Sequence, residues 1–435
     1  MSTPNTSSRN LLITLGVVLM AVCACVAGAY ALMVAVPALL LLNQRQAAQA
    51  TPLPTLNPTQ IVETMDEIQI YVITTRGLQP KEPVERTFLT VAEVKQRVLD
   101  DFEDDYSPAE AGDDLRVLTA FGLVPPGLDL YNLFVRLYSE GVAGYYDPDT
   151  HELVLVSEAQ GLNAYERTVF AHEYTHALQD QHFDLEGTRI KDLSQGDAVL
   201  GQLAAKEGDA TKTMQLWAQN NLSPEELLEV LFGSIGQLGD PTLTNMPPIL
   251  RRQLEFPYSE GFTFVQDVYS SGGFAAVNQT LQDAPESTKQ ILHPDSYYAD
   301  EAPVDVDVPD MLSTLGNGWY DAYEQTLGEL MMQVWLAGDE TPEVAIPGFP
   351  VEWPHAEAAA GWGGDRLRMY ESMDSRWVIE WETAWDTSTD ASEFAARANE
   401  LKSSFDGVAV VLDGRPDGHV LLLVASDQET LTAVT

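Results

Sequence analysis

The sequence TVFAHEYTHAL at residues 168–178 contains a His-Glu-x-x-His pentapeptide, from His172 to His176, within an otherwise apolar run. On an α-helix, residues four positions apart lie on the same face, so the two imidazoles can bind one metal ion. Glu173 lies beside them and can take a proton from a water molecule on that ion. The stretch therefore predicts a buried helix that carries a metal centre and its general base.

The residues around the pentapeptide decide whether it is more than a coincidence. A chain of this length contains such a motif by chance roughly once in 20 cases. Here Asn163, followed three residues later by Glu166, predicts a capping box at the start of a helix. Polar groups on such an apolar helix need partners, and a metal ion supplies one. The alternative interpretation is a helix with two surface histidines.

A catalytic zinc site has three protein ligands and one open position, so a third ligand is needed. Glu207 lies on the apolar stripe of a helix predicted over 195–220, where a carboxylate is costly unless it is paired or bound to metal. His182 is the alternative. For it to reach the metal, the chain would have to turn sharply after the first two histidines, and a glycine would permit that turn where this chain has Gln179. In a continuing helix, His182 lies about 9 Å beyond His176 along the axis. The geometry favours Glu207 as the third ligand.

Three features together resemble the gluzincin branch of zinc peptidases. They are the His-Glu-x-x-His stretch, the later pair Glu207-Gly208, and a hairpin sequence at 144–148, and the resemblance covers about residues 130–215. It implies a zincin-like fold and a zinc-dependent peptidase acting on a peptide or protein. The implied zinc ligands are His172, His176 and Glu207, and the implied general base is Glu173.

The chain departs from the gluzincin pattern at one position. Gluzincins often have Asp four residues after the glutamate ligand, where it supports the first histidine, and this chain has Thr211 there. Asp209 lies on another face of the predicted helix, so the supporting acid is unassigned. A second catalytic donor for the oxyanion is also expected. His293, followed by Pro294, and Tyr258 are the candidates, and a structural role is the alternative for His293.

Composition limits the partners. The chain has 23 Lys and Arg against 66 Asp and Glu, a net charge of -43, which repels nucleic acid and anionic lipid head groups. We therefore expect no nucleic-acid partner. The only two cysteines, Cys23 and Cys25, lie in an apolar run, so the remaining chain has no disulfide and depends on its core or a metal ion for stability. Nothing in the sequence indicates the oligomeric state.

An uncharged apolar run occupies residues 11–42. A helix needs about 20 apolar residues to cross a bilayer, so this run predicts a transmembrane signal anchor. Residues 1–10 would be a cytoplasmic tail and 43–60, with three prolines, a flexible linker. The body would then lie outside the cytoplasm, held to the cell membrane by one span. Ala48-Gln49-Ala50 resembles a cleavage site, so processing of the anchor stays open.

The patterns after the linker predict an α+β fold in two units. Residues 61–364 are expected to form a mainly helical, zincin-like metalloprotease domain with a small edge sheet. Residues 365–435 are expected to form a small α+β subdomain, because strand-like and helix-like segments alternate there.

Two other functions compete with a peptidase. One is a zinc-binding but catalytically inactive ectodomain that acts as a sensor or scaffold. The other is a surface interaction module in which the pentapeptide is accidental. The intact Glu173 favours the peptidase, and so does the general rule that structural zinc sites fill all four positions with protein ligands.

Overall fold

The computed structural model describes residues 58–435, apart from 141–143, 157–161, 186, 191, 193, 239–244, 341, 343–351 and 416–417. The first described elements are α1 (Pro58–Arg76), β1 (Glu85–Leu89), α2 (Val91–Asp105), α3 (Pro108–Ala120) and α4 (Leu130–Glu140). Local sequence explains where α2 and α3 begin. Thr90 with Glu93, and Ser107 with Glu110, form capping boxes that satisfy backbone N–H groups at these helix starts.

Strands β2 (Gly144–Asp147) and β3 (Glu152–Val156) form the hairpin that the Asp-Pro-Asp-Thr turn sequence predicts. β2 pairs with β3 in the antiparallel sense, and β1 pairs with the other side of β3 in the parallel sense. The strand order β1-β3-β2 leaves β2 at an edge of this three-stranded sheet. Asp147 closes the turn by accepting hydrogen bonds from the backbone N–H groups of Asp149 and Thr150.

The next four helices form the centre of the molecule: α5 (Ala164–Phe183), α6 (Gly196–Asn221), α7 (Pro224–Leu238) and α8 (Pro248–Gln282), which is kinked at Gly272 and Gly273. The predicted capping box of Asn163 and Glu166 begins α5. Apolar side chains of α5, such as Phe170 and Leu178, pack in one core with α1 and the hairpin strands. The helix is therefore enclosed by its neighbours along most of its length.

Helices α6 and α8 approach each other at two glycines. A Cβ atom on Gly208 would lie 2.2 Å from the carbonyl oxygen of Gly261, and one on Gly261 would lie 2.3 Å from that of Ala204. No side chain fits at such distances, so the two backbones are in direct contact. The sequence suggests this role for Gly208, which follows the buried Glu207.

The last third of the described chain contains α9 (Thr288–Leu292), α10 (Pro294–Tyr298), α11 (Leu312–Leu315), β4 (Trp319–Gln325), α12 (Gly328–Ala337), β5 (Trp362–Ser372), β6 (Trp377–Trp385), α13 (Ser388–Glu400), β7 (Val408–Leu412), β8 (Val420–Ala425) and α14 (Gln428–Val434). The five strands form an antiparallel sheet in the order β4-β5-β6-β8-β7. Helices α12 and α13 cover one face, where Trp335 of α12 and Phe394 of α13 pack against Trp381 of β6, and α11 and α14 cover the other.

Buried polar contacts connect this sheet to helices α12 and α6. Asp365 accepts hydrogen bonds from the backbone N–H groups of Leu327 and Gly328 and from the indoles of Trp362 and Trp381. At the start of α6, the N–H of Gly196 donates to the side-chain oxygen of Gln325, the last residue of β4, over 2.7 Å. The sheet therefore holds the beginning of the helix that carries Glu207.

The fold-class prediction is wrong. In place of a mainly helical domain with a small edge sheet and a separate small α+β subdomain, the described chain is a mixture of helices and strands with two sheets, the second of which includes β4. Apolar and polar residues alternate only weakly in Trp319–Gln325, so the sequence predicts no strand there. In the structure this segment is β4 and pairs with β5. As a result, the predicted boundary at residue 365 falls inside β5.

The predicted membrane helix is also not shown by the structure. Among the described residues, no helix combines the length and apolar character that a membrane crossing requires. The predicted anchor at 11–42 lies outside the described residues, as do the tail at 1–10 and the linker up to residue 57. Residues 58–60, assigned to the linker, form the first turn of α1.

The glycine contact between α6 and α8 is testable through stability. We expect Gly208→Ala to lower the free energy of unfolding by about 1–3 kcal/mol, because the added methyl forces two packed backbones apart. Thermal and urea unfolding would measure the loss. Gly112→Ala is the control, since Gly112 lies within α3 and an added Cβ there meets only Arg116 at 3.8 Å. Equal stability of the two variants would contradict the packing argument.

Candidate metal centre

Three side chains from two helices meet at one point. His172 and His176 come from α5, and Glu207 comes from α6. The Nε2 atoms of the two histidines are 3.1 Å apart, and Oε2 of Glu207 lies 3.1 Å from Nε2 of His172 and 3.3 Å from Nε2 of His176. All three side chains are at most 1% exposed. This buried group could hold a metal ion.

The charges of the three residues support the same conclusion. Burial lowers the pKa of His172, which favours its neutral, ligating form. Burial also opposes charge on His176 and Glu207, but their mutual attraction outweighs it, raising the pKa of His176 and lowering that of Glu207. Without a metal ion the carboxylate is therefore charged and compensated by His176. A bound cation would replace that compensating proton.

Glu173, the predicted general base, is held by the hairpin. Its side chain is fully buried, and Oε2 accepts a hydrogen bond of 3.0 Å from the backbone N–H of Tyr146 in edge strand β2. Oε1 has no hydrogen-bond partner among the described residues. Burial raises the pKa of this carboxyl group to about 8. Glu173 thus has one oxygen held by the hairpin and one available for proton transfer.

The two ligand histidines are supported differently. Nδ1 of His176 is 2.8 Å from Oε1 of Gln179, whose amide nitrogen donates to the carbonyl oxygen of Lys206 and to Asp209. Nδ1 of His172, in contrast, is buried and has no hydrogen-bond partner among the described residues.

Thus Asp209, the acid left unassigned by the sequence, reaches His176 through Gln179. Sequence reasoning missed Gln179 as a functional residue, although its position three residues after His176 places it on the same helix face.

His182, the alternative third ligand, lies away from this group. Helix α5 continues to Phe183 and ends at Asp184 in a left-handed conformation, so no turn precedes His182. Its Nε2 atom is 2.7 Å from the carbonyl oxygen of Gln79. The structure therefore brings Glu207, and not His182, to the pair of histidines.

The two candidate donors for the oxyanion are placed in different surroundings. His293 lies between α9 and α10, its side chain is 44% exposed, and its Nε2 atom is 2.8 Å from Glu329. Tyr258 is fully buried on α8, with its ring centroid 6.4 Å from that of His172. Of the two candidates, Tyr258 is the one whose ring lies beside a ligand histidine.

The ligand set is testable without any assay of catalysis. After chelator treatment, a divalent metal ion should raise the unfolding temperature of the native protein, because it binds only the folded site. We expect Glu207→Ala to abolish this increase. His182→Ala is the matched control and should respond as the native protein does. The opposite pattern would show that His182 completes the site.

The candidate metal centre lies outside the residues that match a family model. Residues 316–435 match a family model described as "Domain of unknown function (DUF8575)". This range begins just before β4 and includes the whole five-stranded sheet, but neither α5 nor α6. No curated protein and no solved structure matches the chain.

Proposed function

We propose that the protein is a zinc-dependent peptidase that uses Glu173 as its general base. The observation that carries the proposal is the triangle of ligand atoms from His172, His176 and Glu207, with sides of 3.1, 3.1 and 3.3 Å. Tetrahedral zinc with bonds of about 2.0–2.1 Å separates neighbouring ligand atoms by roughly 3.3 Å. The three protein atoms are therefore already spaced for this ion.

The types of ligand favour zinc, and their number favours catalysis. Two imidazole nitrogens and one carboxylate oxygen suit zinc better than magnesium or calcium, which prefer oxygen ligands alone. Structural zinc sites normally have four protein ligands, whereas three leave one position open for water or substrate. The group of His172, His176 and Glu207 has three.

When bound, zinc supplies a Lewis acid that activates water and polarises the scissile carbonyl. Side chains of the protein then transfer the proton. Oε1 of Glu173, without a partner among the described residues, takes the proton of the attacking water and returns it to the leaving amine. The N–H of Tyr146 keeps Oε2 in place during both transfers. Burial raises the pKa of this carboxyl group, and the positive charge of a bound metal ion would lower it again towards the carboxylate form that accepts the proton.

The surroundings of the base suit an extended peptide. Strand β2 is at an edge of its sheet, and the contact between Tyr146 and Glu173 places this edge directly beside the base. An edge strand can pair with an extended chain through backbone hydrogen bonds. We therefore infer that a peptide or protein segment binds along β2 with its scissile bond near Glu173. Tyr258, whose ring lies near His172, is the proposed donor to the oxyanion.

The main test replaces the base. Purified native protein should contain about one zinc per chain and cleave members of a broad peptide library. We expect Glu173→Gln to retain the metal and to lose about 100-fold or more in kcat/KM, the usual contribution of a general base. Zinc in the native protein without any cleavage would favour the inactive zinc-binding protein. Absence of bound zinc at neutral pH would refute both interpretations.

A second prediction concerns Tyr258. Tyr258→Phe removes only the phenolic O–H group, so we expect kcat to fall about 10- to 1,000-fold while zinc affinity stays native, as for loss of an oxyanion donor. Tyr269→Phe, on the same helix, is the control, since its ring lies over Lys212. Steady-state kinetics and a zinc competition assay would measure the two effects. Native kcat in Tyr258→Phe would exclude this residue from the reaction.

A further inference from the structure

A continuous line of buried polar side chains runs from the end of α1 to the metal centre. Nε of Arg76 donates to Oδ2 of Asp209 over 3.0 Å, and the amide nitrogen of Gln179 donates to the same oxygen over 2.8 Å. Oε1 of Gln179 then lies 2.8 Å from Nδ1 of His176. Each of these four side chains is at most 1% exposed. Water therefore has little access to any link.

The chemistry of these groups allows only one direction of hydrogen bonding. A guanidinium group can only donate, so Oδ2 of Asp209 is an acceptor. The carbonyl oxygen of Lys206 is also an acceptor, so the amide of Gln179 must turn its NH2 group towards both. Its oxygen then faces His176 and requires a proton on Nδ1. Nε2 is left as the nitrogen that faces Glu207.

Burying the charged side chain of Arg76 in this position costs free energy. Its Nη1 and Nη2 atoms are buried without a hydrogen-bond partner among the described residues. Burying such donors costs free energy, which is only partly offset by the ring of Phe274, 4.7 Å from the guanidinium carbon. A simple link between α1 and α6 needs no charged residue, so the cost points to a role in the polar line itself.

We propose that Arg76, Asp209 and Gln179 form a positioning relay for His176. The relay keeps the proton on Nδ1 and directs Nε2 towards the metal site. This inference rests on the proposed metal site. None of the three residues contacts the reacting atoms, so they are positioning and not catalytic residues. The relay is specific to one ligand, because His172 has no equivalent support among the described residues.

The decisive variant is Gln179→Met, which keeps the length of the side chain and removes both hydrogen-bonding groups. We expect zinc affinity, measured by chelator competition, to fall about 10- to 100-fold, the usual effect of losing such a supporting contact. Asp209→Asn, which preserves volume, should weaken binding in the same direction. Gln181→Met is the matched control on the same helix, because Gln181 contacts only the backbone of Lys81 and Glu82 among its described hydrogen-bond partners.

A direct observation of the Nδ1 proton separates positioning from general stability. The full chain has only seven histidines, so ¹⁵N-labelled histidine gives a spectrum simple enough to assign. In zinc-loaded native protein, the Nδ1–H of His176 should exchange with solvent more slowly than that of His172. In Gln179→Met this protection should disappear, whereas Gln181→Met should retain it.

Each result bears on the relay separately from the peptidase. Native zinc affinity and native protection in both Gln179→Met and Asp209→Asn would overturn the relay and leave the metal site intact. A lower unfolding temperature alone, with protection unchanged, would also overturn it, because the residues would then be merely structural. If the native protein bound no zinc, the proposed function would fail. Protection of the His176 proton in the metal-free native protein, lost in Gln179→Met, would still support the relay.

Discussion

The structure depends on the burial of a carboxylate between two helices. Glu207 is fully buried on α6 and faces His172 and His176 on α5, with its Oε2 atom within 3.3 Å of both imidazoles. Removing a charge from water is costly unless partners replace the lost hydration. The two imidazoles supply such partners, and the same group could also hold a metal ion. The surrounding elements therefore have to hold α5 and α6 in this crossing.

Several elements hold the crossing in place from different sides. Gly208 and Gly261 let α8 contact the backbone of α6 one residue from Glu207, which leaves no room for the helix to shift. Strand β2 fixes Glu173 through the N–H of Tyr146. The end of β4 holds the start of α6 through Gln325. The C-terminal sheet, which lies within the matched range 316–435, thus anchors the helix that carries Glu207.

The same crossing brings polar side chains of three helices together around His176. Asp209 follows Glu207 by two residues and lies on another face of α6, yet it reaches His176 through Gln179 and is paired with Arg76. The gluzincin pattern places an acid at the position of Thr211 instead, to support the first histidine. Here the described support goes to the second histidine. Helix packing makes this line of polar side chains possible, since α1 supplies the buried Arg76 that pairs with Asp209.

The sequence by itself determined the features that depend on local periodicity and local chemistry. These are the shared face of His172 and His176, the capping box that begins α5, the hairpin turn, and the position of Glu207 on an apolar stripe beside a small residue. Only the tertiary structure decided the rest. Arg76 and Asp209 are 133 residues apart, and Tyr146 and Glu173 are 27 apart, so no periodic pattern relates them. The strand at 319–325 was likewise recognisable only from its pairing with β5. Such contacts follow from how helices cross and how strands align, which a single sequence does not specify.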